Sequence, residues 1–116
     1  MLGFLAFLVV TMGQAQEKNR SVNFEIKGNC GMCKSRIEKT ALKLKGVKMA
    51  SWNAETKEFK AVIDERKCSI EDIKRSIADV GHDSEGFNAP QQIYENLPPC
   101  CKYRDPDSML MEHSEH

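Results

Sequence analysis

Two of the five cysteines in this chain have the spacing of a soft-metal site. Cys30 and Cys33 form a C-x-x-C motif in a loop that contains no histidine or carboxylate. Two thiolates without hard ligands favour an ion that tolerates low coordination, such as Cu(I) or Hg(II). A structural Zn(II) site needs four ligands, so zinc would require donors from elsewhere in the chain. Because five is an odd number, a framework in which every cysteine pairs within the chain is excluded.

The motif lies where a predicted strand leads into a predicted helix. The free N–H groups and the positive end of a helix N-terminus stabilise a thiolate and lower its pKa. Gly28 and Gly31 are expected to let the loop turn tightly enough for both sulfurs to face one point. This position predicts a pair of metal ligands rather than a pair of packing residues.

Three further residues are candidate ligands. His82 follows the glycine that ends the second predicted helix, where it could be a third ligand or a proton-responsive neighbour. Cys100 and Cys101 follow a diproline, and they could complete the first site, form a second thiolate site or close as a vicinal disulfide. Cys68 is expected to be a partly buried filler. The last residues add donors that suit copper, namely Met109, Met111, His113 and His116.

The elements that position these residues follow the order βαββαβ. Alternating apolar residues predict strands, and apolar residues at helical spacing predict helices. The predicted strands are 21–27, 47–53, 59–64 and 85–88, and the predicted helices are 33–45 and 70–80. This order indicates the α+β class and a ferredoxin-like sandwich, in which a four-stranded antiparallel sheet carries two helices on one face.

Two local details sharpen the predicted fold. The second strand brings Trp52 to the helix-facing side only if a β-bulge lies near Met49. The second helix is expected to begin with a capping box of Ser69 and Asp72.

Length and charge restrict the function classes. The 116 residues and 13.1 kDa suit one small domain. The 17 basic and 17 acidic residues give a net charge of zero, which argues against binding nucleic acid through general phosphate attraction. All four prolines lie after residue 88, so residues 89–116 are predicted to be a tail with one ordered turn near Ile93 and Tyr94.

The beginning of the chain resembles a signal peptide. Its uncharged apolar run is too short for a membrane span, which takes about 20 residues. We expect residues 1–15 to be the signal peptide, with cleavage after Ala15, residues 16–20 to be a linker and residues 21–88 to be the domain. The mature protein is then expected to be exported, in the periplasm or secreted, without a stable membrane anchor.

The metal loop resembles that of a known family. The stretch Gly28-Asn29-Cys30-Gly31-Met32-Cys33-Lys34-Ser35-Arg36-Ile37-Glu38 is similar to the metal loop and first helix of the heavy-metal-associated (HMA) domain, and the similarity extends through Gly46-Val47 to Gly81-His82-Asp83. Members of that family are copper chaperones, soluble domains of P-type ATPases and periplasmic mercury-binding proteins. The resemblance implies the βαββαβ fold, with a soft ion bound between Cys30 and Cys33. It also implies ligand exchange with a metal transporter, a P-type ATPase or a metalloprotein acceptor.

The chain departs from the family pattern at two positions. The usual loop is Gly-Met-x-Cys-x-x-Cys, with the methionine buried beneath the site. Here no methionine precedes the cysteines in the loop, and Met32 lies between them. His82 stands where relatives often have tyrosine or lysine.

These observations predict an exported, monomeric protein that binds and transfers a soft metal ion and is not an enzyme. Cu(I) is the expected ion, with Hg(II) and Zn(II) as alternatives. One competing hypothesis is a thiol-disulfide oxidoreductase that uses the same pair of cysteines. The tryptophan and proline that flank the thioredoxin motif are absent here. Another alternative is a metal buffer or sensor that keeps its ion.

Overall fold

The computed structural model describes residues 17–105, which contain an antiparallel sheet and two longer helices. The strands are β1 (Arg20–Glu25), β2 (Val47–Trp52) and β3 (Glu58–Ile63), and the helices are α1 (Gly31–Leu42), α2 (Ile70–Ala78) and α3 (Gln91–Glu95), followed by a 3₁₀ turn at Pro99–Cys101. The predicted signal peptide at 1–15 and the methionines and histidines at 109–116 lie outside the described residues. Within residues 17–105, every helix is too short or too polar to cross a membrane.

The central strand of the sheet is β3, which pairs with β1 on one side and β2 on the other. The register shifts between Val47 and Met49, where the sequence predicted a bulge. Beyond the bulge, Trp52 lies opposite Phe59 and is only 1 % exposed. Its indole nitrogen donates a hydrogen bond of 2.9 Å to the backbone oxygen of Ile26. The predicted bulge and the inward position of Trp52 are therefore confirmed.

The prediction of a fourth strand at residues 85–88 is wrong, because the described residues contain a three-stranded sheet. Ser84 forms an isolated bridge to Ile26 and a second one to Phe87. The backbone groups of Ser84 and Phe87 bond to each other in both directions at 2.9 Å, and Gly86 between them has φ = +83°. The segment turns back on itself because it has a glycine at its centre and one large apolar residue to anchor it.

The two longer helices cover one face of the sheet with regular apolar stripes. Helix α1 buries Ile37 and Ala41, and α2 buries Ile73 and Ile77. The predicted capping box at the start of α2 is present: the Asp72 N–H donates to the Ser69 hydroxyl at 3.1 Å, and the Ser69 N–H donates to the Asp72 carboxylate at 3.0 Å. The capping box therefore fixes the start of α2.

Residues 89–105 pack against the domain. Tyr94, Leu97 and Cys101 are at most 7 % exposed and belong to the same apolar core as the sheet and helices. Leu97 lies against Gly81, where an added Cβ would come within 2.7 Å of its side chain and where φ is +115°. A side chain at residue 81 would therefore be strained and would displace Leu97. The ordered turn expected near Ile93 and Tyr94 corresponds to α3.

Replacing Trp52 with alanine should lower the free energy of unfolding by about 3–5 kcal/mol, because it removes the largest fully buried side chain. It also leaves the Ile26 carbonyl without its donor. Denaturant unfolding measures the loss. Leu42→Ala is the control, since Leu42 is 49 % exposed on α1 and its removal should cost much less. Similar small losses in both variants would contradict this register of β2.

Candidate metal centre

Helix α1 begins two residues earlier than predicted, and this places both loop cysteines at its N-terminus. Cys30 is the N-cap residue and Cys33 lies in the first turn. The Lys34 N–H donates to the Cys30 carbonyl at 3.0 Å, which closes the first helical turn. The Asn29 N–H lies 3.4 Å from the Cys33 sulfur and donates to it. Both thiols therefore lie where helix N–H groups and the helix dipole favour negative charge.

The loop rests directly on the indole ring of Trp52. An added Cβ at Gly28 would lie 3.0 Å from the ring and 3.2 Å from the Cβ of Cys33. Gly28 is therefore required for the loop to approach the Trp52 ring this closely. Gly31, which was expected to share that role, has open space around an added Cβ and no positive φ. Trp52 thus lies beneath the loop, whereas Met32 is 52 % exposed.

The tail brings two more cysteines to the loop. The sulfur of Cys30 lies 3.1 Å from that of Cys100 and 3.3 Å from that of Cys101. The Cys33 sulfur lies 3.6 Å from that of Cys30 and 2.7 Å from that of Cys101. All of these cysteines are free thiols. Of the three arrangements considered for the tail cysteines, the structure has the one in which they fold back onto the C-x-x-C loop.

The sulfur cluster, defined as the sulfurs of Cys30, Cys33, Cys100 and Cys101, is largely shielded from solvent. Cys33 and Cys101 are fully buried, and Cys30 is 4 % exposed. The tail covers the loop pair. Cys100 is partly exposed. The sulfurs of Cys30, Cys100 and Cys101 lie within 4.8 Å of one another, which is close enough to hold one metal ion.

Burial and hydrogen bonding make the thiols unequal. Burial raises the pKa of Cys30, and the contact with Cys100 raises it further. The hydrogen bond between Cys33 and Cys101 lowers the pKa of Cys33, and the hydrogen bond from the Asn29 N–H also lowers it. That shared bond, together with burial, raises the pKa of Cys101. Cys33 therefore ionises more readily than Cys30 or Cys101.

His82 lies behind the cluster and is fully buried. Burial lowers the pKa of its imidazole, which favours the neutral form. One ring nitrogen, Nδ1, is 2.9 Å from the Lys27 carbonyl, and the other, Nε2, is 3.2 Å from a guanidinium nitrogen of Arg36. That same Arg36 nitrogen is 3.5 Å from the Cys101 sulfur and donates to it. His82 was predicted to be a third ligand or a proton-responsive neighbour. In the structure both of its ring nitrogens are hydrogen bonded, and one of these bonds positions Arg36 next to the Cys101 sulfur.

Sequence analysis did not identify Arg36, although one signal for it was available. Residue 36 is one turn beyond Cys33, so a helix that presents Cys33 to the site also presents Arg36 to the same side. A cation that donates to sulfur favours the thiolate form that binds metal.

A set of contacts around Asp83 holds the tail in place. The Tyr103 hydroxyl donates to the Gly81 carbonyl at 2.5 Å and accepts from the Asp83 N–H at 3.0 Å. The Tyr103 ring stacks on the ring of His82, with centroids 5.5 Å apart. The aromatic ring of the tail therefore covers the buried histidine.

Arg104 completes this set. It donates two hydrogen bonds to the Asp83 carboxylate, at 2.8 and 3.0 Å, and its guanidinium lies 4.2 Å above the Tyr94 ring. Burial alone would raise the pKa of Asp83, but the bonds from Arg104 outweigh it and keep that pKa below its ordinary value. We call Asp83, Tyr94, Tyr103 and Arg104 the tail clasp. No local pattern in the sequence indicated it, because its members come together only in the folded chain.

No protein-family model matches the chain, and no curated protein matches it. Solved structures do match. A structure of the CopZ metallochaperone has a TM-score of 0.55 and 29 % identity, and the match covers 56 % of this chain and 98 % of that one. The N-terminal domain of a potential copper-translocating P-type ATPase from Bacillus subtilis, in the Cu(I)-loaded state, has a TM-score of 0.54 and 27 % identity over 56 % of this chain and 82 % of that one. A copper-binding domain of the P-type ATPase HMA7 has a TM-score of 0.54 and 28 % identity, and the match covers 55 % of this chain and 88 % of that one.

The resemblance to the HMA domain family is confirmed. The match spans nearly all of CopZ but 56 % of the present chain, so a large part of this HMA-like protein has no counterpart there. The small α+β fold, with its antiparallel sheet and helices, agrees with that of the HMA neighbours.

Removing the Arg104 charge should loosen the tail of this HMA-like domain. Arg104→Gln is expected to lower the free energy of unfolding by about 1–3 kcal/mol, because the Asp83 carboxylate loses two charge-assisted hydrogen bonds. Amide hydrogen exchange across residues 97–105 should become faster. Lys60→Gln is the control, since it removes a lysine charge from an exposed pair far from the tail. Equal exchange in both variants and the original chain would contradict a holding role for the clasp.

Proposed function

We propose that this protein binds a soft metal ion at the sulfur cluster and transfers it to an acceptor. One observation carries the proposal: Cys30 and Cys33 meet Cys100 and Cys101, which lie about 70 residues further along the chain, in a largely buried cluster. Bringing thiols together from such distant segments requires ordering a long stretch of chain. Metal binding is a chemical reason for that arrangement.

The donor atoms favour Cu(I). The group that could hold an ion consists of thiols alone, and soft ligands select Cu(I) over hard cations. Two or three thiolates are enough for Cu(I), whereas four sulfurs also meet the ligand number of Zn(II). The CopZ metallochaperone and the Cu(I)-loaded ATPase domain among the structural neighbours support copper as the cargo. Hg(II) is the other soft ion that the cluster suits.

The neighbours also support a role in transfer. One is a metallochaperone and others are domains of P-type ATPases, so we propose a metal transporter or a metalloprotein as the acceptor. On this proposal the protein is a carrier that exchanges ligands, rather than an enzyme. The signal peptide predicted from the sequence would direct it to the periplasm or the extracellular space.

Thiol-disulfide exchange is the second candidate function. The observation that favours it is the 2.7 Å separation of the Cys33 and Cys101 sulfurs, which is shorter than the 3.6 Å between Cys30 and Cys33. In such a reaction the two thiols would give two electrons and two protons to the disulfide of a partner, which becomes two thiols. A disulfide between loop and tail would then occupy two of the metal-binding sulfurs. Metal stoichiometry and reduction potential, measured on the same preparation, separate the two functions.

Replacing either loop cysteine with serine should lower Cu(I) affinity by orders of magnitude, because each variant loses a thiolate that a hydroxyl does not replace. Competitive titrations of the reduced protein with Cu(I), Hg(II) and Zn(II) measure affinity and selectivity. The control is Cys68→Ser, which removes a buried thiol outside the cluster. If Cys30→Ser and Cys33→Ser both bind Cu(I) as tightly as the control, the proposed function is wrong.

The tail cysteines are best tested by the double substitution of Cys100 and Cys101 with serine. Truncation after residue 88 would also remove Tyr94 and Leu97 from the core, so its effect on metal binding would be ambiguous. The double variant should bind Cu(I) more weakly and release it faster to a chelator, with unchanged stoichiometry, because the sulfurs converge on one site. Halved stoichiometry with unchanged affinity would indicate two separate sites. If affinity, stoichiometry and exchange rate all stay the same, the tail cysteines have no metal role.

A further inference from the structure

We propose that the Met32 thioether, together with the Cys100 thiol, forms the outer end of the metal site, where the ion enters and leaves. This inference rests on the proposed function and assigns Met32 as a ligand of the ion in transit. The Met32 sulfur lies 3.6 Å from the Cys100 sulfur. The two residues are 68 positions apart in the sequence, and the folding of the tail onto α1 brings them together.

The exposure of the sulfurs defines an outer and an inner end. Met32 is 52 % exposed and Cys100 is partly exposed. Cys33 and Cys101 are fully buried, and Cys30 is 4 % exposed. Ligand exchange requires a donor atom of the partner to reach the ion. In the described part of the chain, the sulfurs of Met32 and Cys100 offer that access.

The sulfurs form a continuous series from the surface to the interior. From Met32 the distance to Cys100 is 3.6 Å, and from Cys100 to Cys30 it is 3.1 Å. The Cys30 and Cys101 sulfurs are 3.3 Å apart, and the Cys101 and Cys33 sulfurs are 2.7 Å apart. An ion can therefore move inward by replacing one ligand at a time, without ever being bare.

A thioether has the right chemistry for the first position. It is a soft donor that binds Cu(I), yet it carries no charge and no proton. Capture by Met32 therefore needs no deprotonation, and the ion displaces thiol protons only when it binds the cysteine sulfurs further in. Other large apolar side chains, such as Leu42, Met49 and Ile93, are also exposed, so exposure alone would not single out Met32. The contact with Cys100 does.

The test is Met32→Leu in the full-length protein, with Met49→Leu as the matched control. Leucine keeps the apolar bulk and removes the thioether, and Met49 is 56 % exposed on β2, away from the cluster. Stopped-flow measurements follow Cu(I) transfer from a chelator to the protein and back. We expect Met32→Leu to slow uptake and release by the same factor, roughly tenfold, because the step by which the ion enters and leaves loses a donor atom and its barrier rises by about 1.4 kcal/mol. Because both rates fall together, the equilibrium affinity should stay the same.

A second measurement separates ligation from simple shielding. The metal-free protein is treated with an aromatic disulfide reagent, whose reaction rate reports access to the Cys100 thiol. If Met32→Leu slows this reaction as much as it slows Cu(I) transfer, leucine merely covers the cysteine and the inference is wrong. Equal Cu(I) transfer rates in Met32→Leu and Met49→Leu would also overturn it. If the unaltered protein fails to bind Cu(I), the proposed function fails instead, so the two failures are distinguishable.

Discussion

The folding of the tail onto the N-terminus of α1 is the contact on which the site depends. It joins Cys30 to Cys101 across 71 residues of sequence. Ordering residues 89–105 costs conformational entropy, which buried apolar contacts and the tail clasp must offset. The packing of Leu97 on Gly81 is one of the apolar contacts. The hydrogen bond from Arg104 to Asp83 is one of the contacts of the clasp. Without them, Cys30 and Cys33 would lie on a loop that the tail does not cover.

Features that depend on neighbouring residues were predictable. The bulge before Trp52 follows from the alternation of one strand, and the capping box follows from the four-residue pattern that begins at Ser69. Each pattern lies within a single strand or helix, so it does not depend on contacts between distant parts of the chain. The fourth strand failed for the opposite reason. With Phe87 as its single large apolar residue, the segment had no alternation to hold it along β1, and the pairing stopped at Ser84.

The candidate site divides in the same way. The loop cysteines were identified from their spacing and their position before a helix. The place of Cys100 and Cys101 stayed open, because it depends on contacts that no local pattern encodes. His82 was noticed, but its role depends on Arg36, and that hydrogen bond exists only when the end of α2 and the side of α1 are packed together. Sequence reasoning thus found the donor atoms more readily than the groups that position them.

On the proposed function, tail docking and metal binding are thermodynamically linked. An ion held by Cys30 and by a tail cysteine cross-links the two segments, so it stabilises the docked tail. By reciprocity, docking raises the affinity for the ion by the same factor. The clasp includes an ion pair that water can reach, with the Asp83 and Arg104 side chains 15 % and 30 % exposed. Water or an acceptor can compete for such contacts more easily than for a buried apolar one. A carrier must hold its ion tightly yet release it, and a tail held partly by buried apolar contacts and partly by polar ones suits both needs, because opening it removes two sulfurs at once.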